Sequence, residues 1–298
     1  MSPIDQNLSV NFSPESLQIL NLCLGFIMFV VALDLSLSDF KRVVQTPKSA
    51  VIGLLSQFLF LPAVTFALIW LMKPQPAIAL GMLLVASCPG GVISNFMTNL
   101  AKGNTALSVS LTAVSTPASV FMTPLNFAFW GSRLPETNKL LETVSLNPSD
   151  MAKTIVVLII IPVVIGMFMA SKFPALVSKI RNPFKVLSFI LFGGFIVIAA
   201  FGNWDAFINY IEYILLLVLV HNALAFGTGY LSGRIGKLKT ADVRSITIET
   251  GIQNSGLGLI LIFNFFDGMG PMALVAAWWG VWHIISGLTL ATLWSKKS

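Results

Sequence analysis

The stretch ETGIQNSGLG, Glu249 to Gly258, sets one carboxylate, two amides and three glycines inside a region that is otherwise mostly apolar. Leu257, Leu259 and Ile260 belong to the same run. Glycines at this density loosen a helix, and a carboxylate in an apolar run needs a partner. What surrounds the stretch decides how it is read.

The surroundings are those of a membrane. Of the 298 residues, 56% are hydrophobic and 10% charged, with a mean hydropathy of +0.86. Soluble domains carry about 25% charged residues. A bilayer core takes about 20 apolar residues per helix. Nine apolar segments follow one another: about 17–37, 47–72, 76–101, 104–130, 151–171, 184–202, 207–233, 240–266 and 271–294. The fold class expected is therefore an all-α polytopic membrane protein with nine transmembrane helices. Residues 1–16 form a short extracytoplasmic tail, and 17–298 form a single transmembrane unit. Cys23 and Cys88 match no metal-ligand spacing and imply no disulfide. The net charge of +6 comes without a basic stretch interleaved with aromatics, so no nucleic-acid partner is expected.

Orientation follows from the basic residues. With the N-terminus outside, 14 of the 18 Lys and Arg fall on the inner side, among them Lys41, Arg42, Lys48, Lys179, Arg181, Lys185, Arg234, Lys237, Lys239 and Lys296. Cytoplasmic loops carry such an excess. The expectation is a multi-pass protein of the cell's inner (plasma) membrane with a cytoplasmic C-terminus.

Two segments are interrupted, the third near Pro89-Gly90-Gly91 and the eighth near Gly251 to Gly256. Each follows two segments and precedes one, so segments 1–4 and 6–9 read as one unit used twice in opposite orientation. Broken helices in matching positions of inverted halves point to a transporter's binding site. Gly and Pro also serve packing alone, and the Gly229–Gly233 pair in the seventh segment reads as a packing face.

Depth sharpens the pattern. At about 1.5 Å per residue, Glu249, Gln57 and Thr112 lie about 12 Å from the inner face, and Ser108 about 6 Å. From the outer side, Cys88 and His283 lie about 18 Å deep, with Gly91 to Asn95 just past the centre. Glu249 is the one carboxylate placed deep, and intramembrane acids are functional by default. No Lys or Arg shares its depth, so a cation from solution supplies the counter-charge. Around it stand the neutral oxygens of Gln57, Ser94, Asn95, Ser108, Thr112 and Gln253, with backbone carbonyls near Thr250 and Ile252. One carboxylate among hydroxyls and amides suits a monovalent ion rather than Ca²⁺. A proton on Glu249 is the competing reading. The second half-helices begin near Val92 and Ser255, where free N–H groups favour an anion. No G-x-S-x-G, H-E-x-x-H or acid pair is present, and His221 and His283 share no catalytic spacing, so no enzyme is expected.

ALGMLLVASCPGGVISNFMTNLAKGNTALSVSLTAVST, Ala79 to Thr116, and ITIETGIQNSGLG, Ile246 to Gly258, closely resemble the bile acid:sodium symporter family. The resemblance covers nearly the whole chain. It implies two broken helices crossing in a core domain, about 47–130 and 207–294, beside a panel domain, about 17–37 and 151–202. Some bacterial members carry one more N-terminal helix; this chain starts without it.

The resemblance further implies two Na⁺ and no other cofactor. The first site would be Ser94, Asn95, Ser108, Thr112 and Glu249. The second would be Gln57, Glu249 and Gln253 with the carbonyls of Thr250 and Ile252. The organic anion would meet Gly91, Val92, Ile93, Asn254, Ser255 and His283. Val92 and Ile284 stand where relatives often have polar residues, which makes the pocket less polar. The function expected is Na⁺-coupled import of an organic anion, bile-acid-like or a small carboxylate or sulfonate, by alternating access. The alternatives are a proton-coupled carrier on the same scaffold and a non-transporting receptor or enzyme. The partners expected are Na⁺, the organic anion and membrane lipid, with the chain a monomer.

Overall fold

The computed structural model describes residues 14–91, 93–202 and 204–296. The tail before residue 14 and Val92 lie outside them. The first helices are α1 (Pro14–Ala32), α2 (Leu37–Gln45) and α3 (Pro47–Met72). The first broken segment is α4 (Pro76–Ser87) and α5 (Ile93–Leu100), followed by α6 (Thr105–Gly131) and α7 (Pro135–Val144). Then come α8 (Pro148–Lys172), α9 (Pro174–Gly202) and α10 (Trp204–Ile235). The second broken segment is α11 (Thr240–Gly251) and α12 (Ser255–Phe265), and α13 (Gly270–Ser295) follows it. No strand is assigned among the described residues.

Proline starts many of these helices. Pro47, Pro76, Pro135, Pro148 and Pro271 stand in the first turns of theirs, where the missing N–H costs nothing. Inside a helix the same residue is disruptive. In α3 the turn Ser56–Phe60 widens to π geometry directly before Pro62, and Leu61 N–H reaches back to the Ser56 carbonyl. In α8 the turn Val156–Ile160 does the same before Pro162. Each bulge re-spaces the carbonyls around a proline that cannot donate and would strike the carbonyl four residues back.

Burial divides the helices. Every residue of α4 from Ala77 to Ser87 is buried, as is every residue of α12 from Ser255 to Phe263. A helix apolar all round belongs in a core, and these two half-helices form its centre, with α13 packed on both. The outward faces are apolar as well, with Leu59, Trp70, Phe121, Leu125, Val164, Phe168, Leu216 and Leu231 exposed. A contiguous apolar exterior of this extent fits lipid rather than water. Among the described residues, five helices (α3, α6, α8, Ile214–Ile235 of α10, and α13) are each long and apolar enough to cross a membrane. Residues Leu17–Ala32 of α1 and α2 pass that test together, bent by 65°.

Several expected boundaries are corrected. The first segment ends at Ala32, and Leu37–Gln45 is a separate helix whose first turn is capped by Asp39 against Ser36. The stretch left between the fourth and fifth segments, 131–150, holds α7. The sixth segment starts at Pro174, ten residues before the expected 184, because charged residues and Pro183 are carried on the helix. The break near Gly251 to Gly256 narrows to Ile252–Asn254.

Glycine lets α10 and α11 approach closely. A methyl at Gly229 would lie 2.7 Å from the Ile246 carbonyl oxygen and Thr247 Cα, and one at Gly233 3.1 Å from Val243 Cα. The small-residue face of α10 therefore seats α11, as the spacing predicts. α1 packs instead on α8 and α9. Asp34, just past α1, pairs with Arg181 and Lys185 of α9. Asn21 of α1 and Asn264 of α12 exchange amide hydrogen bonds at 3.1 and 3.5 Å.

Candidate functional site

The two breaks cross each other. Gly91 N–H donates to the Ile252 carbonyl at 2.7 Å, and Asn254 N–H donates to the Pro89 carbonyl at 2.9 Å. Gly90 and Gln253 stand opposite each other as an antiparallel bridge. Two unwound segments thus satisfy each other's backbone where no water is at hand. A methyl at Gly91 would sit 2.9 Å from the Gln253 carbonyl oxygen, and one at Gly90 would overlap Glu249 Oε1. Glycine is required here for approach, not for a left-handed backbone.

Glu249 is the last acid before the break in α11 and is buried. Its Oε2 accepts from Ser94 Oγ at 2.6 Å and from Ser108 Oγ at 2.9 Å. Its Oε1 accepts from Thr112 Oγ1 at 2.7 Å. Asn95 Oδ1 lies 2.8 Å from Ser108 Oγ and 3.4 Å from Thr112 Oγ1. Of the five residues expected in a first cation site, Ser94, Ser108 and Thr112 thus meet at the Glu249 carboxylate, and Asn95 joins them through Ser108 and Thr112. Ser94 and Asn95 come from the first turn of α5, and Ser108 and Thr112 from successive turns of α6. Asn104 caps α6 through Leu107 N–H at 3.1 Å. Its amide, with the Ser49 hydroxyl, donates to Asp242 at 2.8 and 2.7 Å, which ties the starts of α3, α6 and α11 together.

In the second expected group Gln57 and Gln253 pair with each other, while the Glu249 bonds described above go to the first group. Gln57, in the π turn of α3, donates through Nε2 to Gln253 Oε1 at 2.7 Å and to the Cys88 carbonyl at 2.8 Å. Gln253 Nε2 donates to the Thr250 carbonyl at 2.7 Å and lies 3.2 Å from Gln57 Oε1. The Ile252 carbonyl serves the backbone crossing described above. Ser56, unremarked in the sequence, pairs with Thr250 Oγ1 at 2.9 Å.

The residues expected to line an anion pocket divide. Asn254 caps α12, its Oδ1 accepting from Leu257 N–H at 3.0 Å, and its Nδ2 lies 3.9 Å from Met28 Sδ of α1. It thus faces the boundary between the crossing and α1. Ser255 is buried and Ile93 half-buried. His283 is buried on α13, and its Nδ1 has no hydrogen-bond partner among the described residues. His221, far from His283 in sequence, pairs with Thr65 Oγ1 at 2.7 Å and stacks edge-on against Trp279, with ring centroids 4.6 Å apart.

None of the ion pairs among the described residues includes Glu249, and its three side-chain donors are neutral hydroxyls. No group of three His, Cys, Asp or Glu that could hold a metal ion occurs among the described residues. The chemistry on offer is one negative charge, several neutral oxygens and glycine-lined backbone.

A profile of the Sodium Bile acid symporter family matches residues 21–210. The chain belongs to that family. The sodium bile acid symporter family is one of transporters rather than enzymes. Over 274 residues the chain is 34% identical to the uncharacterized sodium-dependent transporter YocS of Bacillus subtilis, covering 92% of this chain and 82% of the relative. It is 32% identical to the probable sodium/metabolite cotransporter BASS1, chloroplastic, of Arabidopsis thaliana, covering 91% of this chain and 65% of the relative. It is 29% identical to the corresponding BASS2 of Oryza sativa subsp. japonica, covering 92% of this chain and 63% of the relative. The chain thus spans somewhat less than two thirds of the length of these two plant relatives.

Proposed function

We propose that this member of the family is a sodium-coupled symporter that imports an organic anion by alternating access. The observation that carries the reading is Glu249. It is a buried carboxylate met by three hydroxyls at 2.6 to 2.9 Å, with an amide oxygen beside them and, among the described residues, no cationic side chain paired to it. A buried charge needs a partner, and oxygen donors around one carboxylate fit a hard monovalent cation.

Ser94, Asn95, Ser108, Thr112 and Glu249 make the first Na⁺ site in this reading. Gln57, Glu249 and Gln253, with the Thr250 and Ile252 carbonyls, make the second. The anion rests at the crossing, against Gly91, Ile93, Asn254, Ser255 and His283, at the positive dipole ends of α5 and α12. Val92 belongs to this lining by sequence position. Helices α3 to α6 and α10 to α13 form a core that moves against α1, α8 and α9. The chain crosses the membrane nine times, with its N-terminus outside. The names of the relatives support the sodium dependence, and the crossing supports the midplane site.

Uptake of candidate carboxylates and sulfonates into proteoliposomes tests the reading. Uptake should require an inward Na⁺ gradient and be abolished by Glu249→Ala. Equal uptake with choline in place of Na⁺ refutes the coupling. Uptake that follows pH and ignores Na⁺ establishes the proton carrier instead.

A further inference from the structure

The hydrogen bonds at the crossing come in matched pairs. Pro89 and Ile252 each give a carbonyl to the other strand's N–H, and Gly90 lies opposite Gln253. By the same correspondence between the two breaks, Cys88 matches Gly251, one residue before each of those carbonyls. The Cys88 carbonyl accepts from Gln57 Nε2 at 2.8 Å. The Gly251 carbonyl accepts from Asn222 Nδ2 at 2.8 Å. Gln57 sits on α3, the helix preceding the first broken segment. Asn222 sits on α10, the helix preceding the second. The inverted halves have placed the same device twice: an amide from the preceding helix on the carbonyl where the half-helix ends.

We propose that Asn222, held by Ser286, is a positioning residue for the cation-binding turn Thr250–Gln253. The proposal rests on the Na⁺-site reading above. A helix that stops in the interior leaves carbonyls without intrahelical donors, and a buried one without any donor is costly. Asn222 is fully buried and supplies that donor at Gly251. Its orientation is fixed because the Gly251 carbonyl only accepts, so the NH₂ group faces Gly251 and Oδ1 faces α13. There Ser286 Oγ donates to Oδ1 at 2.6 Å. One turn along α10, the Phe226 ring occupies the space a side chain at Gly251 would take. Asn222 and Phe226 thus fix the peptide that follows Gly251 in direction and position. That peptide lies between the Thr250 and Ile252 carbonyls. Without the amide, the Gly251 carbonyl turns to find another donor and carries the Thr250 carbonyl off Gln253 and the Ile252 carbonyl off Gly91. Ser286 stands one turn from His283, so the same link reaches the helix assigned to the anion.

The test is a NaCl titration of melting temperature for the purified full chain, with choline chloride holding ionic strength constant. Asn222→Leu should raise the Na⁺ concentration for half-maximal stabilisation about tenfold, and Ser286→Ala about threefold. The double variant should shift no further than Asn222→Leu, since the two act as a unit. A lower melting temperature in choline with the wild-type Na⁺ midpoint marks a purely structural role and overturns the proposal. Additive shifts overturn the shared action. Ser286→Ala removes one hydroxyl, so it decides the matter if Asn222→Leu does not fold. A wild-type protein that does not distinguish Na⁺ from choline overturns the Na⁺ reading and the proposal together; a wild-type response with unmoved variants overturns the proposal alone.

Discussion

Gly90→Ala is the sharpest perturbation of the crossing. The added methyl would overlap Glu249 Oε1 and approach its Cδ to 2.9 Å and its Cγ to 3.3 Å. Gly90 cannot retreat, because its neighbours Pro89 and Gly91 are both bonded to the opposite strand. The carboxylate must therefore swing away, and the contact it loses first is Oε1 with Thr112 at 2.7 Å. A hydrogen bond to a charged group contributes about 1.5–3 kcal/mol. At 1.4 kcal/mol per decade that corresponds to about a 10- to 100-fold weaker apparent Na⁺ affinity. Gly258→Ala is the internal control. Its methyl would meet only Cys88 Sγ and Val85 Cγ2, both at 3.7 Å, and alanine favours a helix interior by about 1 kcal/mol over glycine. Na⁺-dependent protection against heat, read from light scattering of detergent-solubilised protein, separates the two. Gly90→Ala should need far more Na⁺ than wild type, and Gly258→Ala should match it. A Gly90→Ala protein with wild-type Na⁺ dependence would refute the placement of Glu249 at the ion.

Two further perturbations act away from the ion. Gly166→Ala forces a methyl into the Phe29 carbonyl and to 2.7 Å from Ala32 Cβ, so α8 must part from α1. Overpacking costs about 1–3 kcal/mol, seen as a lower melting temperature with an unchanged Na⁺ midpoint; a moved midpoint would contradict the separation of α1 and α8 from the site. Asn21→Ala and Asn264→Ala each remove one partner of the amide pair between α1 and α12. Each should lower stability by about 1 kcal/mol, and in thermal unfolding the double variant should lose no more than the worse single; fully additive losses would mean that the pair does not couple the helices.

The broken helices and their polar residues were legible in the sequence because a bilayer tolerates neither without cause. Glu249, Ser94, Ser108 and Thr112 stood out as polar residues within apolar segments, and the structure brings the three hydroxyls to one carboxylate. The ends of helices were less legible. Lys179, Arg181 and Pro183 look like a loop, yet α9 runs through them from Pro174 as an extension of the apolar stretch. α7 is too polar to register as a segment, and its start is marked only by Pro135. The π turns follow from Pro62 and Pro162, but no local signal says that the first would carry Gln57 into the site. Asn222 carries no local signal, because a single amide in an apolar helix is indistinguishable from a packing residue. Its counterpart Gln57 was the available signal, at the matching place in the other half.

The crossing also constrains how the protein is built. Its bonds join residues far apart in the chain: Ser94 with Glu249 across 155 positions, and Gln57 with Gln253 across 196. Contacts of that separation form late, after the loop-closure entropy has been spent. A nascent chain can insert α1 through α10 and still hold no complete cation ligand set, because the carboxylate arrives with α11. Binding that requires the finished state stabilises only that state. Na⁺ under this reading is a selective partner of the correctly assembled molecule: chains whose halves have docked out of register gain nothing from it. Sodium-dependent protection then measures the yield of biogenesis as well as affinity.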